Sequence, residues 1–393
     1  NVSPTNNDAD KSFRVHTLGE TCDTNSEYKI SGSITCGNLR TTVVQGRASS
    51  STSGGSVSPD GTRIAVASQR VGGDTSTNKG IDFFHSGSSG WSEVTAEAID
   101  MSTALPAAGD VVPSAIYWFS NSEILVLTSN LLTSFVSSSS GWSENYSTTV
   151  NTASNAKTHM WVSPGKTVIG VAPQTNMFAE SFMRNDIEVM LIHSSSTGFD
   201  DTKILNKFGG AGLEDGRVTA MSWIDEENVL IGQPERSFGK GMVSHYRSGS
   251  SGYTAIRTTE GNTTTSNGVN RFGSFIYWHS DSNSGIYGAD DDSAILNLIP
   301  SQSDGYLPSA DPHLAANRSI IDTSVLQRQN GSEPVVVLGT TINVDPTNSG
   351  RIVASSDRED TDGTQDGRVY FSLETGSVGW KVKQINADGD GVG

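Results

Sequence analysis

Short apolar runs separated by polar turns rich in Gly and Ser recur along the whole chain. A copy opens with a run that ends in an aromatic residue, as at 115–118, and a second apolar run follows after a turn, as at 124–127. Two further strand-like runs around a Gly/Ser tip complete the copy. Sustained 3.6-residue periodicity, the mark of an amphipathic helix, is absent from the sequence. The pattern predicts an all-β fold built from repeated units.

The aromatic residues that follow the tips set the period of the repeat. Five successive tips, from Trp91 to Tyr306, are separated by 51, 57, 54 and 53 residues, which suits a four-stranded blade with its loops. The number of tips predicts a β-propeller with seven four-stranded blades. Six is the alternative, because the first and last intervals are irregular. The seven tip residues are Tyr28, Trp91, Trp142, Phe199, Tyr253, Tyr306 and Trp380.

A repeat that spans almost the whole chain favours one β-propeller domain over residues 1–393. Within it, segment 1–45 is expected to complete the ring. The long last interval holds two more apolar runs, 319–321 and 334–338, and we expect one of them to complete the blade that the N-terminus begins. Closure of the ring removes free sheet edges.

The tryptophans and three of the histidines follow the repeat. Trp residues lie at tips or at the ends of first strands, which favours packing between blades over a sugar-stacking surface. His85, His193 and His245 lie at similar places before the tips, so they are interpreted as a recurring feature of the repeat. The other histidines have no partner at the spacing of metal ligands.

Composition and charge indicate a secreted protein. The net charge of −17 disfavours binding to nucleic acid or to an anionic membrane. Ser and Thr make up about a quarter of the residues, and no run of 18 apolar residues exists that could span a membrane. The chain starts without Met, as a mature secreted chain does after removal of its signal peptide, although a shortened chain would start in the same way.

The two cysteines, Cys22 and Cys36, enclose a stretch that reads as a hairpin. A disulfide between them would close a short loop and add about 3 kcal/mol to stability in the chain-entropy model. The alternative is a pair of unrelated buried thiols. The close, isolated pair favours the disulfide and therefore an oxidising, extracellular compartment.

The segment Gly55–Val66, with Ile81–Phe84 and Gly90–Val94, resembles the FG-GAP repeat of integrin α-subunit-like propellers. Its first half also resembles the blades of TolB-type propellers. The resemblance covers the second and seventh blades well and the middle blades in outline. Of the Phe-Gly pairs, only Phe272-Gly273 stands where a blade should open. The resemblance implies a propeller and leaves its ligand unspecified.

The same resemblance implies Ca²⁺ in a loop between the second and third strands of a blade. Asp360, Asp362, Gly363 and Asp366 match the family's calcium-loop pattern. Its first ligand position holds Arg358, and Asp357 or Glu359 would have to replace that ligand. Such loops suit Ca²⁺ because it takes six to eight hard oxygen ligands. The alternative is a solvated acidic turn.

A second calcium-loop-like stretch, 386–393, carries Asn386, Asp388 and Asp390 and resembles the opening of a thrombospondin type 3 or dockerin-like repeat. We expect it to be the start of a truncated tail, with the later ligands beyond Gly393. The run 290–292, three consecutive aspartates, is better explained as a solvated turn.

No nucleophilic triad, P-loop, dinucleotide fingerprint or zinc motif occurs in the sequence. The cluster His245, Tyr246 and Arg247 offers the base and the neutralising cation that a polysaccharide lyase needs, but its place in the repeat favours packing. A pair of carboxylates for glycoside hydrolysis remains an alternative, since such acids need to be near only in space.

The sequence therefore favours a secreted or cell-surface, non-enzymatic propeller for adhesion, matrix or filament assembly, steadied by Ca²⁺. Its partners would be copies of itself, a protein or a glycan. The polar leader 1–11 would then be held by a neighbouring subunit through strand addition. The alternatives are a carbohydrate-active propeller enzyme, either a polysaccharide lyase or a glycoside hydrolase, and an intracellular scaffolding propeller with reduced cysteines.

Overall fold

The computed structural model describes the chain in separate stretches. They are residues 11–17, 40–48, 55–68, 78–88, 90–105, 113–128, 130–150, 157–173, 187–208, 218, 220–234, 240–250, 252–261, 272–280, 284–289, 294–298, 318–322, 341–344, 351–356, 368–374 and 380–385.

Nearly all regular structure in these stretches is antiparallel β-sheet, and successive strands pair in chain order. The described residues form seven sheets: five have four strands, one has five and one has two. Two-residue turns join the third and fourth strands of sheets 2 to 5, where antiparallel pairing needs no longer connection. The predicted all-β fold of four-stranded sheets is confirmed.

Sheets 1 to 3 come first in the chain, and in sheet 2 the short strand β7 pairs with β5. Their strands are β1 (Lys11–Thr17) and β2 (Arg40–Ala48) in sheet 1; β3 (Gly55–Val57), β4 (Arg63–Ser68), β5 (Gly80–Gly87), β6 (Gly90–Glu93) and β7 (Ile99–Asp100) in sheet 2; and β8 (Ala115–Ser120), β9 (Glu123–Leu127), β10 (Leu131–Ser138) and β11 (Gly141–Thr149) in sheet 3.

Sheets 4 to 7 have four strands each. Their strands are β12 (Lys157–Val162), β13 (Val168–Pro173), β14 (Ile187–Ser195) and β15 (Gly198–Phe208) in sheet 4; β16 (Ala220–Trp223), β17 (Asn228–Gln233), β18 (Met242–Gly249) and β19 (Gly252–Glu260) in sheet 5; β20 (Phe272–His279), β21 (Ser284–Ala289), β22 (Ala294–Leu298) and β23 (Arg318–Asp322) in sheet 6; and β24 (Thr341–Val344), β25 (Arg351–Ser356), β26 (Arg368–Glu374) and β27 (Trp380–Ile385) in sheet 7.

The chain divides into two compact units. The first unit comprises Val2–Met160 and Ser194–Asp200, and it contains sheets 1 to 3. The second comprises Asn1, Trp161–His193 and Asp201–Gly393, and it contains sheets 5 to 7. Sheet 4 supplies residues to both units.

Helices contribute little to the described residues. They are a 3₁₀ turn at Thr95–Glu97 and the four-residue helix α1 (Met101–Ala104), both between sheets 2 and 3 in the chain. Neither is long or apolar enough to cross a membrane.

The predicted runs correspond to strands of the structure. The runs 115–118 and 124–127 lie in β8 and β9, which extend one or two residues further. The run 319–321 lies in β23, which pairs with β22 as the fourth strand of sheet 6. It is therefore not the strand that completes the N-terminal blade. The run 334–338 lies outside the described residues.

Glycines make the tips of the hairpins between third and fourth strands. Gly141, Gly198 and Gly252 open their strands with φ of +101°, +124° and +109°. These dihedrals are costly for residues with a Cβ atom, so glycine is needed where a two-residue turn enters the fourth strand. The next residue is in each case the aromatic that set the sequence period. Those aromatics are Trp142, Phe199 and Tyr253.

Buried serines shape the turns between first and second strands in sheets 2 and 4. Ser58 Oγ accepts the backbone N–H of Arg63 at 2.9 Å, and Ser163 Oγ accepts that of Val168 at 3.0 Å. The Ser58 hydroxyl also donates to Asp60 Oδ1 at 2.6 Å, which contributes most to lowering the pKa of Asp60 to about 2. A side-chain oxygen thus satisfies backbone donors that the turn leaves without a carbonyl partner.

Turns of successive sheets are joined by the same kind of contact in both units. The Asp60 N–H donates to Asn121 Oδ1 at 3.2 Å in the first unit. In the second unit the Gly165 N–H donates to Glu226 Oε1, and the Ser163 hydroxyl donates to Glu226 Oε2 at 2.7 Å. Asn121 and Glu226 hold equivalent positions, three residues after the tryptophan that ends the first strand. These tryptophans are Trp118 and Trp223.

Aromatic residues fill the space between sheets 2 and 3. Trp118 is 3% exposed, and its Nε1–H donates to the Ser56 carbonyl at 2.8 Å. Phe83 meets Trp118 edge-on with ring centroids 6.0 Å apart and stacks on Trp142 at 4.9 Å. Aliphatic side chains complete this cluster: Ala65, Ile81, Ile99, Met101, Leu105, Ile124 and Val126, with Phe135.

Trp223 and Trp278 pack in equivalent clusters of the second unit and are 6% and 5% exposed. Together with Trp118 they confirm core packing for three of the four first-strand tryptophans, and the fourth, Trp161, is partly buried against the same cluster as Trp223.

The Phe-Gly pair at 272–273 opens β20, as predicted. Phe272 is buried, with its ring centroid 5.5 Å from that of Tyr287. Gly273 has φ of +90°, and a Cβ atom on Gly232 of the neighbouring sheet would lie 2.0 Å from the Gly273 carbonyl oxygen. The two backbones approach this closely only because neither residue has a side chain.

We expect Gly273→Ala to lower the free energy of unfolding by roughly 2–5 kcal/mol, because the positive φ costs about 1–2 kcal/mol and crowding against Met242 O, 2.8 Å from the added Cβ, adds about 1–3 kcal/mol. Gly252→Ala is the matched control, since its φ is also positive but its Cβ would meet nothing within 4 Å. Urea denaturation of both variants separates the cost of the positive φ, which both share, from the cost of crowding, which only Gly273→Ala has. A loss for Gly273→Ala no larger than that for Gly252→Ala would contradict the close approach.

Candidate functional site

The first unit contains a polar cavity of about 450 Å³, which we call the serine-rich cavity. Its volume lies within the range of small-ligand sites. The lining comes from β4, from the 3₁₀ turn after β6, and from the hairpin between β10 and β11. The lining residues are Arg63, Ala96, Glu97, Ser137, Ser138, Ser139, Ser140, Gly141 and Trp142.

The alternation of β4 explains the position of Arg63. Arg63 and Ala65 are two residues apart and therefore share a face of sheet 2. Ala65 packs in the aromatic cluster with Trp118, so Arg63 reaches the edge of that cluster. Its Cζ lies 4.9 Å from the centroid of the Trp118 ring, a cation–π contact that fixes the guanidinium at the cavity wall.

A histidine and a glutamate accompany Arg63. His85 of β5 pairs in register with Arg63, so the two side chains emerge side by side on one face. His85 Nε2 and Glu97 Oε2 are 3.0 Å apart, and both side chains are about one-third exposed. Glu97 of the cavity wall is thus held by a partner from its own sheet.

The hairpin tip of sheet 3 supplies hydroxyl groups. Ser138 and Ser140 Oγ are 2.8 Å apart, and the Ser140 N–H donates to Ser138 Oγ at 3.2 Å. Trp142 follows Gly141, and its ring stacks on Phe83 with an angle of 8° between the planes. The tip is therefore anchored in the core by Trp142 while its serines line the cavity.

The cluster His245, Tyr246 and Arg247, for which the sequence favoured packing over a lyase site, lies in β18. His245 is fully buried, and its Nε2–H donates to Asn228 Oδ1 at 2.9 Å. Tyr246 is 5% exposed and packs in the core between sheets 4 and 5. Arg247 donates from Nε to the same Asn228 oxygen at 3.0 Å. The packing interpretation is confirmed for His245 and Tyr246, whereas Arg247 is exposed.

Asn228 is the centre of the polar cluster of sheet 5, and its side chain bonds to residues of that sheet or of the turn before β17. Asn228 Nδ2 donates to both carboxylate oxygens of Asp225, at 2.8 and 2.9 Å, which fixes the amide so that its oxygen faces His245 and Arg247. Burial, and next the charge of Arg247, lower the pKa of His245 to about 4. Sheet 3 carries the matching pair, in which Ser134 Oγ–H donates to Glu123 Oε1 at 2.5 Å.

The histidines before the tips are only partly equivalent. His85 and His193 stand two residues before the last residue of their strands, whereas His245 stands four residues before that end. His85 alone among the three lies beside the serine-rich cavity, through Glu97.

The predicted calcium ligands and the disulfide all lie outside the described residues. They are Asp357, Asp360, Asp362 and Asp366 of the first loop, Asn386, Asp388 and Asp390 of the tail, and Cys22 and Cys36. Within the described stretches, no group of three or more His, Cys, Asp or Glu side chains is arranged to hold a metal ion.

Sequence reasoning missed the serine-rich cavity because its walls are distant in the chain. Arg63 was part of a repeat motif, and Ser137–Ser140 were part of a hairpin tip. A signal was present in Arg63, a cation at the start of a strand that is otherwise apolar, in a chain with only 26 Lys and Arg among 393 residues.

The chain matches no model of a known protein family. It matches no curated protein sequence either. One solved structure that it resembles is described as a candidate 6-phosphogluconolactonase from Bacteroides uniformis; the TM-score is 0.47 at 11% identity, over 88% of this chain and 87% of that chain. A likeness at this score and identity supports no statement about the activity or ligand of this chain.

Proposed function

We propose that the protein is a secreted or cell-surface β-propeller with seven blades that binds a glycan in the serine-rich cavity and serves adhesion or matrix assembly. The observation that carries this proposal is the lining of the cavity, with four consecutive serines opposite Arg63 and Glu97. The seven sheets and the repeat of the sequence support the blade count.

The polarity of the cavity favours a ligand rich in hydroxyl groups. Sites for small apolar molecules are lined mostly by hydrophobic and aromatic side chains. Here serine hydroxyls, each able to donate and to accept hydrogen bonds, dominate the wall, and Trp142 adds one aromatic edge. Sugars present hydroxyls at this density, which is why we favour a glycan over an apolar ligand.

The carboxylates that line the cavity favour binding of a glycan over its hydrolysis. Hydrolysis of a glycosidic bond generally uses two carboxyl groups on either side of that bond. Glu97 is the one carboxylate among the described residues that line the cavity, and it is engaged with His85. The acidic composition and the pair Cys22 and Cys36 support an extracellular location. Ca²⁺ in the loop 357–366 and self-association into filaments belong to the same proposal.

We expect the full chain to bind oligosaccharides and to leave them uncleaved. Ser139→Tyr places a ring at the mouth of the cavity and is expected to weaken binding by roughly tenfold or more. Ser250→Tyr is the matched control, because Ser250 holds the same position in the β18–β19 hairpin. Binding is measured on an oligosaccharide array and by calorimetry, and cleavage by mass spectrometry of the recovered sugars. Equal weakening by both substitutions, or release of shortened sugars, would contradict the proposal.

A further inference from the structure

Arg63 carries a positive charge at the wall of the serine-rich cavity, and no side chain among the described residues accepts a hydrogen bond from its guanidinium. Among the described residues, the guanidinium makes the cation–π contact with Trp118 and no hydrogen bond or ion pair. The hydrogen bonds of Arg63 to Ser58 are made by its backbone, whose N–H donates to Ser58 Oγ and whose carbonyl accepts the Ser58 N–H. The side chain lines the cavity, so its donors are within reach of a bound ligand.

Glu97, the acidic side chain that lines the cavity, is already paired with a histidine. Glu97 Oε2 is 3.0 Å from His85 Nε2, and His85 is the cross-strand neighbour of Arg63. The carboxylate of Glu97 therefore contacts His85 of β5. The Asp60 carboxylate is close enough for the charge of Arg63 to contribute to lowering the pKa of Asp60, but among the described residues it makes no hydrogen bond with the guanidinium.

The chemistry of the guanidinium selects the ligand group. Its planar fork matches carboxylate and sulfate oxygens in pairs, and it is fixed in place by the Trp118 ring, so little freedom is lost on binding. Resting on the proposed glycan binding, we infer that the sugar recognised by the serine-rich cavity is acidic and that its anionic group binds to Arg63.

The charge of the whole protein limits how many anionic groups such a glycan carries. Attraction to one arginine acts at contact distance, whereas a net charge of −17 repels further anions over about one Debye length, roughly 8 Å at physiological salt. A saccharide with a single uronate or sulfate group therefore suits this cavity better than a densely charged polyanion.

The test compares paired ligands that differ only in charge. Short oligosaccharides containing one uronic acid are offered as the free acid and as the methyl ester, beside singly sulfated and neutral oligosaccharides. We expect wild type to prefer the free acid or the sulfate over its neutral counterpart by roughly 10- to 100-fold. The sulfated ligands tell a requirement for sulfate from one for carboxylate.

Substitutions identify the residue. Arg63→Gln is expected to abolish the preference for the acid while leaving the affinity for the ester unchanged. Arg63→Lys keeps the charge but loses the planar fork, so it is expected to retain part of the preference for the acid. Arg247→Gln makes the same change of net charge outside the cavity and is expected to bind as wild type does. Circular dichroism checks that each variant is folded.

The outcomes separate the two proposals. Equal binding of acid and ester by wild type, or an unchanged preference in Arg63→Gln, would overturn the role of Arg63 and leave glycan binding in place. Binding of no oligosaccharide of any kind would overturn the proposed function and this inference with it.

Discussion

Trp118→Ala is expected to lower the free energy of unfolding by about 3–5 kcal/mol, the range measured for aromatic residues removed from protein cores. Trp118 is 3% exposed and lies between sheets 2 and 3, in contact with Phe83 and Trp142. Its removal leaves a cavity that these rings cannot close, since each is anchored in its own sheet.

Trp118→Phe separates packing from hydrogen bonding. The phenyl ring keeps part of the contact with Phe83 but leaves the Ser56 carbonyl without the indole N–H at 2.8 Å, so we expect a smaller loss, about 1–3 kcal/mol. Urea denaturation followed by tryptophan fluorescence and by circular dichroism measures both variants. A loss below about 1 kcal/mol for Trp118→Ala, typical of a surface position, would contradict the core assignment.

The same tryptophan links the core to the proposed site. Arg63 is held over the Trp118 ring, so Trp118→Ala removes the surface that fixes the guanidinium at the cavity wall. Trp118→Phe retains an aromatic face at that place. The core between sheets 2 and 3 thus determines the geometry of the serine-rich cavity as well as stability.

Local pattern was enough to predict the strands and the hairpin tips. The run Ile124–Leu127 is fully buried in β9, and an apolar run of this length between turn residues reads as a strand whatever its neighbours are. The regular spacing of the aromatic residues located the hairpin tips. In the structure, a glycine with positive φ stands directly before each of Trp142, Phe199 and Tyr253. Both features depend on residues that are close in the chain.

The assembly of side chains from different strands could not be read in the same way. His245, Tyr246 and Arg247 are adjacent in sequence, which raised a shared site as the alternative to packing; in the structure Tyr246 packs in the core while His245 and Arg247 bind to Asn228. A period of two along β18 already separates Tyr246 from its neighbours. The partner Asn228 lies in another strand, and nothing in the local pattern selects it.

The serine-rich cavity shows the same limit more strongly. Arg63, Glu97 and Ser137 come from three segments, and they meet because sheet 2 packs on sheet 3 through Phe83, Trp118 and Trp142. The sequence predicted that the two tryptophans pack between sheets, and Phe83 was not part of that prediction. It did not predict which polar residues stand at the rim of that packing.

Acidification is expected to destabilise the protein through His245. The pKa of His245 is lowered to about 4 in the folded chain, from an ordinary value of 6.5, because the ring is buried and Arg247 is close. Between these pH values the unfolded chain binds a proton that the folded chain does not, so stability falls as pH decreases. The contribution is complete above pH 6.5 and lost as pH falls through 4, a change of roughly 3 kcal/mol.

His245→Gln tests this origin, since glutamine keeps a neutral donor for Asn228 Oδ1 and does not titrate. The neighbours that set the pKa, Asp225, Arg247 and Arg257, remain in the variant. We expect the variant to be less stable than wild type at pH 8, where it loses ring packing, and to lose less stability than wild type on going to pH 4. Urea midpoints at several pH values measure the two slopes. Parallel profiles for wild type and His245→Gln would show that the acid sensitivity of the fold arises elsewhere.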